Sequence, residues 1–268
     1  MRNFKKAIAD IGVWGCDLKQ NTYKTISVLG EFGLALFNAV RNPKRIRYHQ
    51  CLYYFQQTGY ESLPIVVMIC LLMGVILGFQ AALQLKQFGT DIYVADLVGL
   101  SIVKELGPLM VAIISTGRAG SSFAAEIGTM RVNEEIDAMV TMGIEPNRFL
   151  FIPRLIAMMG AVPILTIFGN LFGILGGLLI GRFQLGIPTV TYINRSLEVL
   201  TPAYLMEGLI KSVIFAILIT VIGCLRGVQS GNDAHGVGRA TTSSVVTGIF
   251  WIVISDAIMT TLFSIGGA

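Results

Sequence analysis

The chain has 268 residues, of which 54% are hydrophobic and 13% charged. Soluble domains carry roughly 25% charged residues, so the composition excludes an ordinary soluble domain and fits one integral membrane domain of a handful of helices. The net charge of +4 is small and its basic residues are not gathered on one face. This argues against a nucleic-acid partner and for a charge bias across a membrane.

In chain order, Arg2, Lys5 and Lys6 are not followed by a long apolar core with a small-residue cleavage site, so no cleaved signal peptide is expected. Between Thr22 and Val40 the apolar residues Ile26, Leu29, Phe32, Gly33, Leu36, Phe37 and Val40 recur at three-four spacing, which predicts an amphipathic helix. Arg41, Lys44, Arg45 and Arg47 follow it. An apolar stripe before a basic cluster predicts a helix lying in the headgroup layer, with a soluble helix packed on a partner as the alternative. Residues 1–62 are thus read as a cytoplasmic and interfacial region, and 63–268 as the transmembrane domain.

Five apolar runs follow. Leu63 to Leu85 is uncharged and long enough to cross ~30 Å of hydrocarbon. Its Gly74 and Gly78 allow close helix approach. The second run, about Tyr93 to Thr116, contains Asp96 near one end and Lys104 and Glu105 near its middle. A charge there costs at least ~2.5 kcal/mol on insertion scales. Adjacent helical residues point about 100° apart, so the two cannot simply face each other, and one is expected to reach a cavity or another helix. Gly107-Pro108 predicts a helix break after them. Residues 117–148 are read as an interior loop. The third run, Phe149 to Gly181, is long for one perpendicular helix and predicts a tilted or kinked span. Gly169, Gly173, Gly177 and Gly181 recur every fourth residue, a stripe suited to tight helix packing, with a dimer interface as one use. Residues 182–203 are read as an exterior loop. The fourth span is placed at about Tyr204 to Leu225, where Glu207 and Lys211 have the spacing of an i,i+4 pair. A Gly-rich interior loop over 226–240 precedes the fifth span, about Thr242 to Ile265. Residues 1–62 hold nine Lys or Arg, and the 118–154 segment adds Arg118, Arg131, Arg148 and Arg154. The positive-inside rule therefore puts the N-terminus and that segment in the cytoplasm and the C-terminus outside.

Chemistry within the chain is sparse. No Gly-Lys dipeptide occurs, so a GxxxxGK[ST] phosphate loop is absent, as are HExxH and GxSxG. No catalytic residue is assigned. Cys16, Cys51, Cys70 and Cys224 are scattered and predict free thiols, and His49 and His235 are far apart, so no metal site is expected. The informative segment is Arg131 to Met142. Val132, Ile136, Met139 and Val140 form one helical face, Glu134, Glu135 and Asp137 crowd the first half, and Gly143 and Pro146 end the helix. Membrane-surface helices usually carry Lys or Arg on the polar face. An acidic one suits a groove in a partner protein better.

The segments Glu105-Leu-Gly-Pro108, Gly117-Arg-Ala-Gly-Ser121, Ala125-Glu-Ile-Gly-Thr-Met-Arg131 and Glu134-Glu-Ile-Asp-Ala-Met139, with Ile210 to Ala216 and Gly238 to Thr242, resemble the MlaE/YrbE-type permeases. These are membrane subunits of lipid-handling ABC transporters, and the resemblance covers roughly Leu63 to the C-terminus. It implies an all-α integral membrane protein of about five spans in a bacterial inner membrane, with an interfacial helix before them and a coupling helix between spans two and three. It implies a homodimer bound to two ATPase subunits that hold ATP and Mg, a periplasmic hexamer of MCE-domain subunits, a lipid substrate, and in many members a STAS-domain subunit. This chain itself would bind no cofactor. Glu134, Glu135, Ile136, Asp137, Met139 and Gly143 would make the ATPase contact. Lys104 and Glu105 would reach the polar part of a lipid cavity walled by Phe79, Leu83 and Phe88. Members often carry Arg where Lys104 stands, and Lys lacks the planar fork that grips phosphate with two hydrogen bonds. Glu105 is open to either ligand contact or a gating and packing role. The rival expectation is an ion-coupled transporter with Asp96, Lys104, Glu105 and Glu207 as a relay. A membrane scaffold is a third, which leaves Lys104 and Glu105 unexplained.

Overall fold

The computed structural model describes residues 30–34 and 47–266, apart from the side chain of Asn147. Most of the Thr22–Val40 stripe, and Arg41 to Arg45, lie outside the described residues. Within it, residues 30–34 are helical, and Phe32 is buried and stacks on Phe151 with ring centroids 4.2 Å apart. Arg47 stands 4.2 Å over the Phe149 ring.

The elements are α1 (Tyr48–Thr58), α2 (Leu63–Lys86), α3 (Val94–Ser101), α4 (Gly107–Ser115), α5 (Ser121–Val132), α6 (Glu135–Thr141), α7 (Pro146–Leu185), α8 (Thr189–Val199), α9 (Pro202–Val228) and α10 (Ala234–Gly266). The described residues contain no strand. Five stretches are long and apolar enough to cross a membrane: Tyr48–Lys86, Asp91–Val132, Arg148–Phe183, Pro202–Val228 and Ala234–Gly266. An all-helical answer follows from hydrocarbon, where every backbone N–H and C=O must be satisfied within its own segment.

Several loops expected from sequence are helix. Gly107-Pro108 does not break the second span. A π-helical turn over Ile102–Leu106 leads into α4, and a second over Thr116–Gly120 leads into α5. A π-turn is a known way for a helix to absorb a residue that cannot donate, such as proline. The small residues from Gly117 to Ala125 therefore extend the rod to Val132, where a loop was expected. Pro153 and Pro163 lie inside one continuous α7, as expected of a single long span. The exterior loop contains α8, and of the Gly-rich 226–240 segment only residues 229–233 lie between helices.

Small residues set the packing. On α2 the buried positions Val66, Cys70, Gly74, Gly78 and Ala82 fall every fourth residue. A Cβ at Gly74 would strike the Gly173 carbonyl, and one at Gly78 would lie 3.1 Å from Gly177 Cα. A Cβ at Gly173 would meet Ile102 Cδ1 at 2.7 Å, and one at Gly177 would meet Val98 Cγ1 at 2.6 Å. Gly169 is close to Cys70 and Val111, and Gly181 to the Tyr192 ring. The glycine stripe of α7 is thus covered by α2, α3, α4 and α8 of its own chain and is not free for a dimer interface. Lipid gives helices no hydrophobic reason to associate, so close backbone contact supplies the attraction instead. The opposite face of α2, with Ile65, Met68, Leu72, Ile76, Phe79 and Leu83, is exposed.

Candidate functional site

The π-turn at Ile102–Leu106 carries Lys104 and Glu105 toward α9. Lys104 Nζ lies 3.2 Å from Glu207 Oε2 and 4.6 Å from the Tyr204 ring centroid. Glu105 Oε2 lies 2.5 Å from Lys211 Nζ, which also meets Asp256 Oδ1 at 3.0 Å and donates to Thr260 Oγ1 at 2.8 Å. The Thr260 hydroxyl is in turn 3.1 Å from Glu105 Oε2. The spacing of Glu207 and Lys211 suggested a pair within α9, but each turns to a different residue of the π-turn. The physical reason is economy of charge: a local pair would leave Lys104 and Glu105 unpartnered in an apolar slab.

The cluster is graded in depth. Lys211 is 1% exposed and Asp256 15%, whereas Lys104 and Glu105 keep about a third of their side-chain surface open. Lys104, Glu105, Glu207, Lys211 and Asp256 together bring three carboxylates to two ammoniums. Its open side must therefore be met by water or by another polar group, because an unbalanced charge is not stable in hydrocarbon. Nothing in this arrangement is a nucleophile with an adjacent base. Its chemistry is that of a polar seat inside an apolar wall.

Phe79 and Leu83 are not brought to this cluster within the chain. They continue the exposed stripe of α2, and Phe88 is exposed in the turn after it. Asp96 is held elsewhere: Arg195 of α8 grips it through Nε at 2.9 Å and Nη2 at 2.8 Å. That carboxylate hydrogen bond is the main cause that raises the Arg195 pKa. Burial does the same to the Tyr192 hydroxyl one turn earlier.

At the other end of the second span, α6 occupies Glu135–Thr141, shorter than the Arg131–Met142 helix expected. Arg131 and Val132 belong to α5, and Glu134 makes the corner with φ 58°. Arg131 donates to the Val228 carbonyl, fixing the corner to the end of α9. Gly143 has φ 73°, with its N–H on Val140 O at 3.0 Å and the Ile144 N–H on Met139 O at 2.9 Å. This is a Schellman cap with glycine at C′. Ile136 and Met139 pack inward beside Ile127, Leu150 and Phe151. The exposed groups are Glu134, Glu135 and Asp137 with Val140, Met142 and Ile144. A recess of about 430 Å³ opens beside the corner, lined by Arg131, Glu134, Asp137, Val228 and Asn232 among others.

Sequence reasoning missed Asp256 and Thr260, and with them the importance of Lys211. Asp256 is a charge inside the fifth apolar run, the same signal that singled out Lys104. It also did not pair Glu126 with Arg154, which form an ion pair at 2.8 Å with Arg154 buried and Glu126 partly open. Among the described residues there is no His, Cys, Asp and Glu grouping that could hold a metal, and Cys51, Cys70 and Cys224 are free and buried.

Comparison with known proteins places this geometry. The family described as Permease MlaE matches residues 51–262. A probable ABC transporter permease of Rickettsia conorii is 37% identical over 91% of this chain and 95% of its own length. The intermembrane phospholipid transport system permease protein MlaE of Haemophilus influenzae is 32% identical over 87% and 91%. A chloroplastic protein of Arabidopsis thaliana, trigalactosyldiacylglycerol 1, is 31% identical over 82% of this chain and 63% of its own length.

Proposed function

Since the chain belongs to the MlaE permease family, we propose that it is the permease subunit of an ABC transporter that moves phospholipid between the inner membrane and a periplasmic MCE-protein carrier. A partner ATPase, with its own ATP and Mg, drives the cycle. The observation that carries the reading is the paired-charge seat of Lys104, Glu105, Glu207, Lys211 and Asp256 inside the apolar spans, combined with an acidic helix held rigidly outside them. The seat suits a lipid headgroup, and its apolar surroundings suit the chains.

In this reading the N-terminus and α6 are cytoplasmic and the C-terminus periplasmic. Two copies pair, and α10, the least buried of the candidate spans, with Val246, Phe250 and Val253 exposed, offers a face for the second copy. Phe79, Leu83 and Phe88 then line the cavity between copies. Glu134, Glu135 and Asp137, with Val140, Met142 and Ile144, meet the ATPase, while Ile136 and Met139 anchor the helix from behind. A STAS-domain subunit is compatible with this assembly. ATP binding closes the ATPases, α6 transmits the motion, and the cavity changes volume. A relay through Asp96 is disfavoured because Arg195 holds that carboxylate.

The test is purification of the tagged chain from its native membrane in mild detergent, beside a Glu134→Lys/Glu135→Lys variant. An ATPase that accompanies the wild type and is lost or uncoupled in the variant supports the proposal. No associated nucleotidase, with identical behaviour of the two, refutes it.

A further inference from the structure

Glu126 joins three helices that are not neighbours in the chain. The Tyr54 hydroxyl of α1 donates to Glu126 Oε1 at 2.7 Å, and Arg154 of α7 meets Glu126 Oε2 at 2.8 Å. The Arg154 side chain is 1% exposed. It donates to Leu150 O at 2.6 Å, and its guanidinium carbon lies 4.5 Å from the Tyr54 ring centroid and 5.6 Å from that of Phe123. The two rings meet edge to face. A buried guanidinium is costly unless partnered, and here a carboxylate, a carbonyl and two aromatic rings lie against it, while its Nε finds no hydrogen-bond partner among the described residues.

A second tie runs parallel to the first. Arg118 donates to the Glu61 backbone carbonyl and pairs with its carboxylate at 2.6 Å. Chain order is 54 then 61 on one side and 126 then 118 on the other. The ties therefore lie in antiparallel register, about two helical turns apart.

Position gives the ties a role. α5 ends at Val132 and α7 begins at Pro146, and α6 lies between them. The Glu126–Arg154 pair closes the base of that hairpin, and Tyr54 fastens it to α1, which leads directly into α2. We propose that Tyr54, Glu126 and Arg154 are positioning residues that carry a displacement of α6 into α1 and the first membrane span. The inference rests on the reading that α6 meets an ATPase. With the node loosened, α6 moves without the span, and ATP is hydrolysed with less lipid moved.

The experiment measures lipid transferred per ATP hydrolysed by the full complex in proteoliposomes. Tyr54→Phe keeps the ring and removes the hydroxyl, Glu126→Gln keeps the shape and removes the charge, and Arg154→Lys keeps the charge. Tyr54→Phe and Glu126→Gln are expected to assemble with the ATPase and hydrolyse at near the wild-type rate. Their ratio should fall about fivefold or more, the lower range of coupling between sites, with Arg154→Lys retaining more of it than Arg154→Ala. A wild-type ratio in both Tyr54→Phe and Glu126→Gln overturns the inference. So does loss of assembly in Glu126→Gln together with a wild-type ratio in Tyr54→Phe, which marks the node as structural only. A wild-type complex that moves no lipid with ATP overturns the proposed function itself, and the inference with it.

Discussion

Lys211 is the cation on which the membrane-embedded cluster depends, since it meets both Glu105 and Asp256. Removing one partner of a buried charge group leaves the others uncompensated, at about 3–5 kcal/mol. Lys211→Met should therefore lower thermal stability in detergent sharply, and adding Glu105→Gln and Asp256→Asn should restore much of it. A thermal shift equal in both variants would contradict the pairing. Glu207→Gln is a milder change than Lys211→Met, because the Lys104–Glu207 pair is partly open and two carboxylates then face two ammoniums. It should lower stability less than Lys211→Met while freeing the Lys104 ammonium, so that the purified protein retains more anionic lipid by mass spectrometry. Lys104 and Glu105 were legible as charges in an apolar run. Their partners were not, because Glu207 and Lys211 carry equally good local spacing, and only the packed helices decide that each looks outward to the π-turn.

At the scale of elements, the glycines range from those that touch a neighbouring backbone to those that touch nothing. Gly74→Ala puts a Cβ into the Gly173 carbonyl, and overpacking of this kind costs about 1–3 kcal/mol. Gly238 sits in α10 with no atom within 4 Å of a built Cβ, so Gly238→Ala should be neutral or stabilise the helix by up to about 1 kcal/mol. Unfolding curves of the two variants check the contrast, and similar losses would contradict it. The five apolar runs and the unbroken third span were readable from hydropathy and length. The continuation of the second span through Gly107-Pro108 and Gly117 to Ala125 was not, since glycine and proline are the poorest helix formers in water. Inside a membrane the backbone must stay paired, and π-turns keep it so. The short α6 was readable for the same reason it stops: Gly143 takes a left-handed φ, and the acidic residues collect at its first turn.

For the whole molecule, the charge count and the position of α6 make one statement about topology. With the native cysteines replaced, a single cysteine at Met142 should react with a membrane-impermeant maleimide only after the inner membrane is opened. One at Leu197 of α8, which is exposed, should react while that membrane is intact. The reverse pattern would contradict the orientation. The family was legible because the motifs that carry it are long and lie close together in the sequence around α4 to α6. The division between the inward face of α6 and its exposed face was not, because Ile136, Met139 and Val140 share one helical stripe, and only α7 decides which of them it covers. The most direct measurement of the account is transfer of a labelled phospholipid by the purified complex in proteoliposomes, with ATP and with a non-hydrolysable analogue. The account predicts movement with ATP alone, lost in Glu134→Lys/Glu135→Lys. Lipid movement that is equal with the analogue, or a complex with no ATPase in it, would contradict it.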